Sequence, residues 1–484
     1  MSKIKDMIDD HIQSSTHLSK KHVHPRLSKM LELGGMNVAF QKAQGPYFYD
    51  DEDNRYLDLL SGGGVYFIGR NHPNVREAIR DVNEMDIPNL SVVNSSILGG
   101  LLAEKLVEMA GPGFSKVQYS NSGAEANEVA IRFSRFCTRK RRFLFMEGAF
   151  HGRTFGAISL CGFPQMKEGM DPKMPVCTPV TPNDVKQLEY ELSKGDVAAV
   201  FYEYCQGMTL TVLEHEYLQE ARRLCDKYGT LLVADEVQTG FARMGDTWFA
   251  FQKAGVVPDM VTLSKTLSGG AVPISATLVG EHVYNRVFQD FKSGPIYFST
   301  FAENNLAMAA GLATVETLRE LDAPTLATDL SKKFRDGLMA IAEKYDVIER
   351  VAGHGLMIGV YFKSTKDSAL LKVQQTILGA VDKGTFGAAV NVDMFTRHNI
   401  VVQIPGPGLN AIKILPPVNL KEEDVNYFLA SFEETIANMY TRAGGPAFSL
   451  GRAAVKDAVK TVRSKVPSKS SASKKPQPAG MTSS

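Results

Sequence analysis

The apolar positions of this chain fall into short unbroken runs, each ending on a polar residue. Val197–Tyr202 ends on Glu203, Leu231–Ala234 on Asp235, and Met260–Leu263 on Ser264-Lys265, while Ile274–Val279 forms a further run. Runs without polar alternation suit strands buried on both faces of a parallel sheet. Residues 214–228 set Leu218, Leu224 and Tyr228 along one helical face, so strand, helix and strand predict a right-handed crossover. A second helical pattern opens at Ser120 and continues through Val129, Phe133 and Phe136, with Ser122 as N-cap and Glu125 as its capping-box partner. Aromatic and apolar residues either side of the acidic stretch Asp50–Asn54 predict a hairpin.

From about residue 330 the texture changes. Helical stretches alternate with Gly355–Phe362, Ile400–Gln403 and Ala411–Pro417, the expected strands of a smaller α/β domain. A helix over Leu420–Tyr440 begins with Glu422, Glu423 and Asp424, as the helix dipole favours. The expected organisation is an amino-terminal segment (1–65) joining the small domain, a large domain (66–325), a carboxyl-terminal small domain (326–445) and a basic tail (446–484). The tail is rich in Lys, Ser and Pro and cannot bury a core, so disorder is expected there.

Composition narrows the class. The chain has 484 residues, 44% apolar and 22% charged, in the range of soluble globular proteins. A formal net charge of +1 offers no global field for nucleic acid or a membrane surface. The basic patch Arg139–Arg142 is short and lacks interleaved aromatics, so a solvated turn is expected rather than a nucleic-acid site. Cys137, Cys161, Cys177, Cys205 and Cys225 have no CxxC spacing and read as reduced. His11, His17, His22 and His24 lack the tight pairing of a zinc site, and no metal is expected. With no apolar run at the amino terminus and no stretch long enough to span a bilayer, the expected location is cytoplasmic.

The candidate chemistry lies where the apolar runs stop. In parallel sheets ligands sit beyond the carboxyl ends of the strands, which is where Asp235 and Lys265 fall. Taken alone, the two residues favour a buried ion pair. The alternative is a pyridoxal phosphate (PLP) site, in which a lysine amine forms a Schiff base and an aspartate keeps the pyridine nitrogen protonated. Ser122, Gly123 and Ala124 open a helix, and a helix N-terminus is an anion site as well as a cap. The glycine run Ser61–Gly64 marks either a close backbone approach or a plain flexible loop.

Longer motifs decide between these alternatives. Asp235–Gly245, Asp-Glu-Val-Gln-Thr-Gly-Phe-Ala-Arg-Met-Gly, is followed by Pro258-Asp259 and Ser-Lys-Thr-Leu-Ser-Gly-Gly, Ser264–Gly270. Together they resemble the signature of class III PLP-dependent aminotransferases, the family of ornithine, acetylornithine, 4-aminobutyrate and putrescine enzymes. The resemblance covers roughly residues 40–440. It implies PLP fold type I, aspartate-aminotransferase-like, with a mostly parallel seven-stranded sheet and a smaller α/β domain. It also implies a homodimer with shared active sites, and ping-pong transfer of an amino group from an amine donor to a 2-oxo acid acceptor.

The same resemblance implies residue roles. Lys265 and Asp235 become the catalytic pair. Ser122, Gly123 and Ala124 become the phosphate turn, with Thr300 reaching the phosphate in the neighbouring subunit. Phe150 stacks on the cofactor ring, and His151, Glu203 and Gln238 complete its surroundings, Gln238 on the phenolic oxygen. Val65, Tyr66 and Arg153 are expected on the substrate side. Three departures stand out: Arg70 where relatives show a histidine, Glu303-Asn304-Asn305 in place of Gly-Asn-Pro, and a change at the carboxylate clamp. Relatives of the ornithine type carry an arginine on the strand before Pro-Pro and a glutamate after Gln-Gly that masks it. Here those positions hold Lys413 and Met208. A lysine is a point charge rather than a fork, and Met208 adds apolar surface. The expected donor is therefore an amine or ω-amino compound, with pyruvate or 2-oxoglutarate received through Lys413, Arg153 or both. An ornithine- or acetylornithine-type aminotransferase is the alternative, as is a PLP-dependent aminomutase or decarboxylase on the same fold.

Overall fold

A computed structural model describes residues 3–90, 95–170, 176–289, 299–363 and 385–441. Fourteen strands are described: β1 (Lys42–Gln44), β2 (Tyr47–Tyr49), β3 (Arg55–Asp58), β4 (Phe114–Ser120), β5 (Arg142–Met146), β6 (Val176–Val180), β7 (Val197–Tyr202), β8 (Leu231–Asp235), β9 (Met260–Leu263), β10 (Ser275–Gly280), β11 (Ile348–His354), β12 (Met357–Phe362), β13 (Ile400–Val401) and β14 (Ala411–Ile414). The central sheet has seven strands in the order β4-β10-β9-β8-β7-β5-β6. Pairing is parallel from β9 through β6, and β10 runs antiparallel to both of its neighbours. β7, β9 and β10 are buried along their whole length, which is why they read as unbroken apolar runs.

The crossover helix His215–Tyr228 covers the sheet between β7 and β8 and stops at Gly229, whose φ of 58° is left-handed. The Gly123–Thr138 helix turns Val129, Ala130, Phe133 and Ser134 inward. Its N-cap differs in detail from the expected box. Ser122 Oγ accepts from Glu125 N at 3.2 Å, but the Glu125 carboxylate reaches one residue further back, to Asn121 N at 3.1 Å.

Two smaller sheets flank the large one. The hairpin β2–β3 forms as expected, its turn held by Asp50 Oδ1, which accepts from Glu52 N and Asn54 N. β13 adds to β3 in parallel, with Ile400 opposite Leu57, so the amino-terminal sheet is completed by a strand from late in the chain. β11, β12 and β14 make an antiparallel sheet, backed by the helices Ala323–Lys344 and Thr385–His398, on both of which the helix Glu422–Thr441 packs. The first residues are mostly exposed, His11, His17, His22 and His24 included. Lys3–His11, Ser15–His22 and Pro25–Leu33 are helical, and they expose Ile4, Met7, Ile8, Val23 and Met30. The tail expected at 446–484 lies outside the described residues.

Phe334 on the helix Ala323–Lys344 is fully buried against Phe428 on the helix Glu422–Thr441, with ring centroids 5.6 Å apart. Phe334→Ala is expected to lower unfolding free energy by about 3–5 kcal/mol, since the cavity is walled by two helices that cannot collapse independently. Urea denaturation checks this, and a loss below about 1 kcal/mol would show that the two helices repack.

Candidate functional site

Because β5, β7, β8 and β9 run parallel, their carboxyl ends share one edge of the sheet, and the polar residues that follow them meet there. Asp235 closes β8 and is buried. Its Oδ2 accepts from His151 Nδ1 at 2.7 Å and from Asn127 Nδ2 at 2.8 Å, and its Oδ1 accepts from Val237 N at 3.0 Å. Asn127 is itself fixed by the His151 carbonyl at 2.7 Å and by Thr262 Oγ1 at 3.1 Å. Burial works against charge on His151, but its bond to Asp235 and the nearby carboxylates win and raise its pKa. The ion pair expected between Asp235 and Lys265 is not formed; the partner of Asp235 is His151 instead.

Glu203 follows β7. Its carboxylate accepts from Phe150 N at 2.9 Å and Gly207 N at 2.7 Å, and burial raises its pKa against the opposing charge of His151. These bonds hold the Phe150-His151 loop and the Gln206–Met208 turn at one place.

Lys265 follows β9 and has φ of 43°, a left-handed conformation that costs a non-glycine residue about 1–3 kcal/mol. It is partly buried. Desolvation lowers its pKa to about 8, although the negative charges of Asp235 and Glu203 pull the other way. Lys413 on β14 is 4% exposed and donates to the Gly207 carbonyl at 2.6 Å. Burial first, and then the nearby Lys265, lower its pKa to about 7.

The remaining expected residues sort into those the structure brings together and those it leaves apart. Ser122 caps its helix, and the first intrahelical bond runs from Ala126 N to Ser122 O, so the Gly123 and Ala124 N–H groups precede it. Gly123 packs against Val237 so closely that a Cβ would stand 2.9 Å from a valine methyl. Gln238 donates to the Gly63 carbonyl at 2.8 Å and leaves Oε1 buried with no partner among the described residues. The glycine run Ser61–Gly64 thus does make a close approach. Tyr66 lies between Gly62 and Gly270, where added Cβ atoms would stand 2.9 Å and 2.2 Å from its ring, and Val65 beside it is partly buried. Met208 packs with Phe150, Ile158, Cys161, Phe163, Met166 and Met170 in an apolar cluster separate from the main core. Arg153 is exposed, with its guanidinium 5.9 Å from the Phe150 ring. Thr300 is exposed as well, next to Ser299, which accepts from Asn121 Nδ2 at 2.8 Å.

Sequence reasoning did not single out two residues of this site, Asn127 and Arg243. Asn127 carried a signal, being a polar residue at helical spacing from the buried Ala130, Ile131 and Ser134. Arg243 is fully buried, donates to the carbonyls of Gly64 at 3.1 Å and Pro416 at 3.3 Å, and lies over the Phe67 ring at 4.3 Å. Desolvation lowers its pKa to about 9. Arg70, the departure from the histidine of relatives, pairs with Asp58 at 2.8 Å and is sandwiched by Phe48 and Tyr66 at 4.0 and 3.9 Å.

Comparison with known proteins gives a consistent result. The family model described as Aminotransferase class-III matches residues 32–436. The acetylornithine aminotransferase of Methanopyrus kandleri is 38% identical over 67% of this chain and 80% of its own length. That of Bacillus cereus is 32% identical over 81% of this chain and 93% of its own. Among solved structures, the ornithine aminotransferase of Toxoplasma gondii superposes with a TM-score of 0.77 at 24% identity, covering 90% of this chain and 98% of that one.

A depressed lysine has a defined effect on stability. The unfolded Lys413 keeps its proton to about pH 10.4, whereas the folded one releases it near pH 7. Above pH 7 the unfolded chain therefore binds more protons, and this group's contribution to stability rises with pH. Relative to Lys413→Met, the wild type is expected to gain up to about 1.4 kcal/mol per pH unit between about pH 7.5 and 9.5. Urea titrations of both proteins across that window check it; a constant difference would mean an ordinary lysine.

Proposed function

The chain belongs to the class-III aminotransferases, and from that premise we propose which residues serve its reaction and which donor it prefers. It is a PLP-dependent enzyme of amino-group transfer. The residues at the strand ends fit that cofactor. Gln238 Oε1 and His151 Nε2 are buried polar atoms without protein partners among the described residues, and the first-turn amides after Ser122 form an anion site. When bound, PLP supplies an aldehyde to take up the donor nitrogen and a ring to accept electrons.

The roles of this chain's own residues follow. Asp235 holds a proton at the ring nitrogen, oriented by Asn127 and His151 on its Oδ2. Ser122, Gly123 and Ala124 hold the phosphate, and Phe150 offers an aromatic face to the ring. Gln238 serves the phenolic oxygen, and Glu203 holds the Phe150 and Gly207 backbones in place. Lys265 Nζ, with its pKa lowered to about 8, is a free base roughly a tenth of the time at pH 7 and about half of it at pH 8, far more than an ordinary lysine. It carries the proton between substrate and cofactor carbons. We read the chain as one subunit of a homodimer, to which the exposed Thr300 and its neighbour Phe301, 62% exposed, would turn.

One observation carries the choice of donor: Lys413 sits at the clamp position with its amine on the Gly207 carbonyl, one residue before Met208. No fork is available there for an α-carboxylate, and Met208 belongs to an apolar, sulfur-rich wall. This supports an amine or ω-amino donor with an apolar or extended body, and a 2-oxo acid acceptor received through Lys413, Arg153 or both. The names of the relatives favour a second reading, an acetylornithine-type donor.

Lys265→Ala is expected to abolish transamination while leaving the circular dichroism spectrum unchanged; turnover near wild type would remove Lys265 from the reaction. A donor panel of ornithine, N-acetylornithine, 4-aminobutyrate, putrescine and longer alkylamines decides the substrate class. The amines are expected to lead in kcat/KM by tenfold or more, about 1.4 kcal/mol. A wide lead for acetylornithine or ornithine would establish the second reading instead.

A further inference from the structure

A site that takes an amine in one half-reaction and a 2-oxo acid in the other must tolerate a carboxylate and then its absence. A buried arginine meets this with difficulty, because it cannot lose its charge. It then needs a masking carboxylate whenever the substrate has none. Here both members of such a pair are replaced, the cation by Lys413 and the mask by Met208.

Lys413 has no carboxylate within ion-pair distance among the described residues. The charged and titratable groups that face it are Lys265 and Arg243, both cations, together with Glu203 and Cys205. Glu203 is already engaged by Phe150 N and Gly207 N. Its own pKa is raised by burial. Cys205 is a buried thiol whose pKa is pushed up to about 12, so it brings no charge near neutral pH. A permanent charge on Lys413 would thus be poorly compensated, at 4% exposure and with two cations nearby. The Gly207 carbonyl at 2.6 Å accepts an N–H equally from an amine or an ammonium, so the bond that positions Lys413 survives loss of the proton.

We propose that Lys413 is a carboxylate receptor charged on demand: it takes a proton from solvent when the carboxylate of the 2-oxo acid enters, and returns it when a donor without a carboxylate occupies the same space. This rests on the reading of Lys413 as the acceptor's partner. A single proton moves, from the buffer to Lys413 Nζ, and no other bond changes. One side chain then performs what otherwise takes a cation and a mask, which accounts for the joint appearance of Lys413 and Met208. The depressed pKa of Lys413, about 7, puts this exchange where it costs little near neutral pH.

The test uses the PLP-loaded enzyme and propionate, a monocarboxylate with no carbonyl to react. Calorimetry at pH 8 in two buffers of different ionisation enthalpy is expected to show uptake of close to one proton on binding. The propionate Kd is expected to rise about tenfold per pH unit above pH 7. Lys413→Arg, which stays charged, should bind propionate without proton uptake and with a Kd that no longer climbs over that range. Propionate binding with loss of affinity in Lys413→Met, but without proton uptake in the wild type, would overturn the switch and leave the acceptor reading standing. Equal affinity in wild type and Lys413→Met, or no binding at all, would overturn the acceptor reading, and the switch with it.

Discussion

The site depends on one buried carboxylate. Asp235 ends a strand inside the sheet, where an unpaired charge would cost several kcal/mol. Its carboxylate accepts from three donors in three places: His151 from the loop after β5, Asn127 from the first turns of a helix, and Val237 from its own turn. Satisfying Asp235 thereby fixes the distance between sheet, helix and loop. Glu203 repeats the arrangement one strand away with two backbone amides. The cations Lys265, Lys413 and Arg243 have no such set of partners, and their pKa values fall. The floor of the site therefore joins well-bonded carboxylates to under-compensated cations, and of those cations the two lysines can shed their charge.

How much of this could be read in the sequence depends on how far apart the partners lie. Strands β7, β8 and β9 were legible because burial on both faces leaves no polar interruption, and the first polar residue after each run marks the strand's carboxyl end. That alone places Glu203, Asp235 and Lys265 together. The Ser122 cap was legible because capping is local, although the reach of Glu125 to Asn121 was not. Asn127 could have been found as a polar residue on a buried helical face. Arg243 could not, because its partners Gly64 and Pro416 are brought to it by the tertiary fold alone. The joint change at Lys413 and Met208 was visible only against a family pattern; the structure adds that Lys413 bonds the residue adjoining Met208.

The glycines show the same division. A run such as Ser61–Gly64 marks some close approach without naming the neighbour. The neighbours are the Gln238 amide, which bonds the Gly63 carbonyl, and Tyr66, wedged between Gly62 and a second glycine, Gly270, from beyond the lysine turn. Arg70 then closes Tyr66 from the side with a flat guanidinium, a contact that a smaller imidazole would not span in the same way.

The pairing of β3 with β13 has a bearing on synthesis. Leu57 lies opposite Ile400, so the hairpin made first by the ribosome waits for a partner strand that emerges roughly 340 residues later. At about 5–20 residues per second, that wait is on the order of 20–70 s. Throughout it the edge of β3 is open, and an open edge is a template for any other strand that comes by. Closing the first of these sheets is thus a late step in building the molecule, and nascent chains on neighbouring ribosomes compete with Ile400 for the same edge.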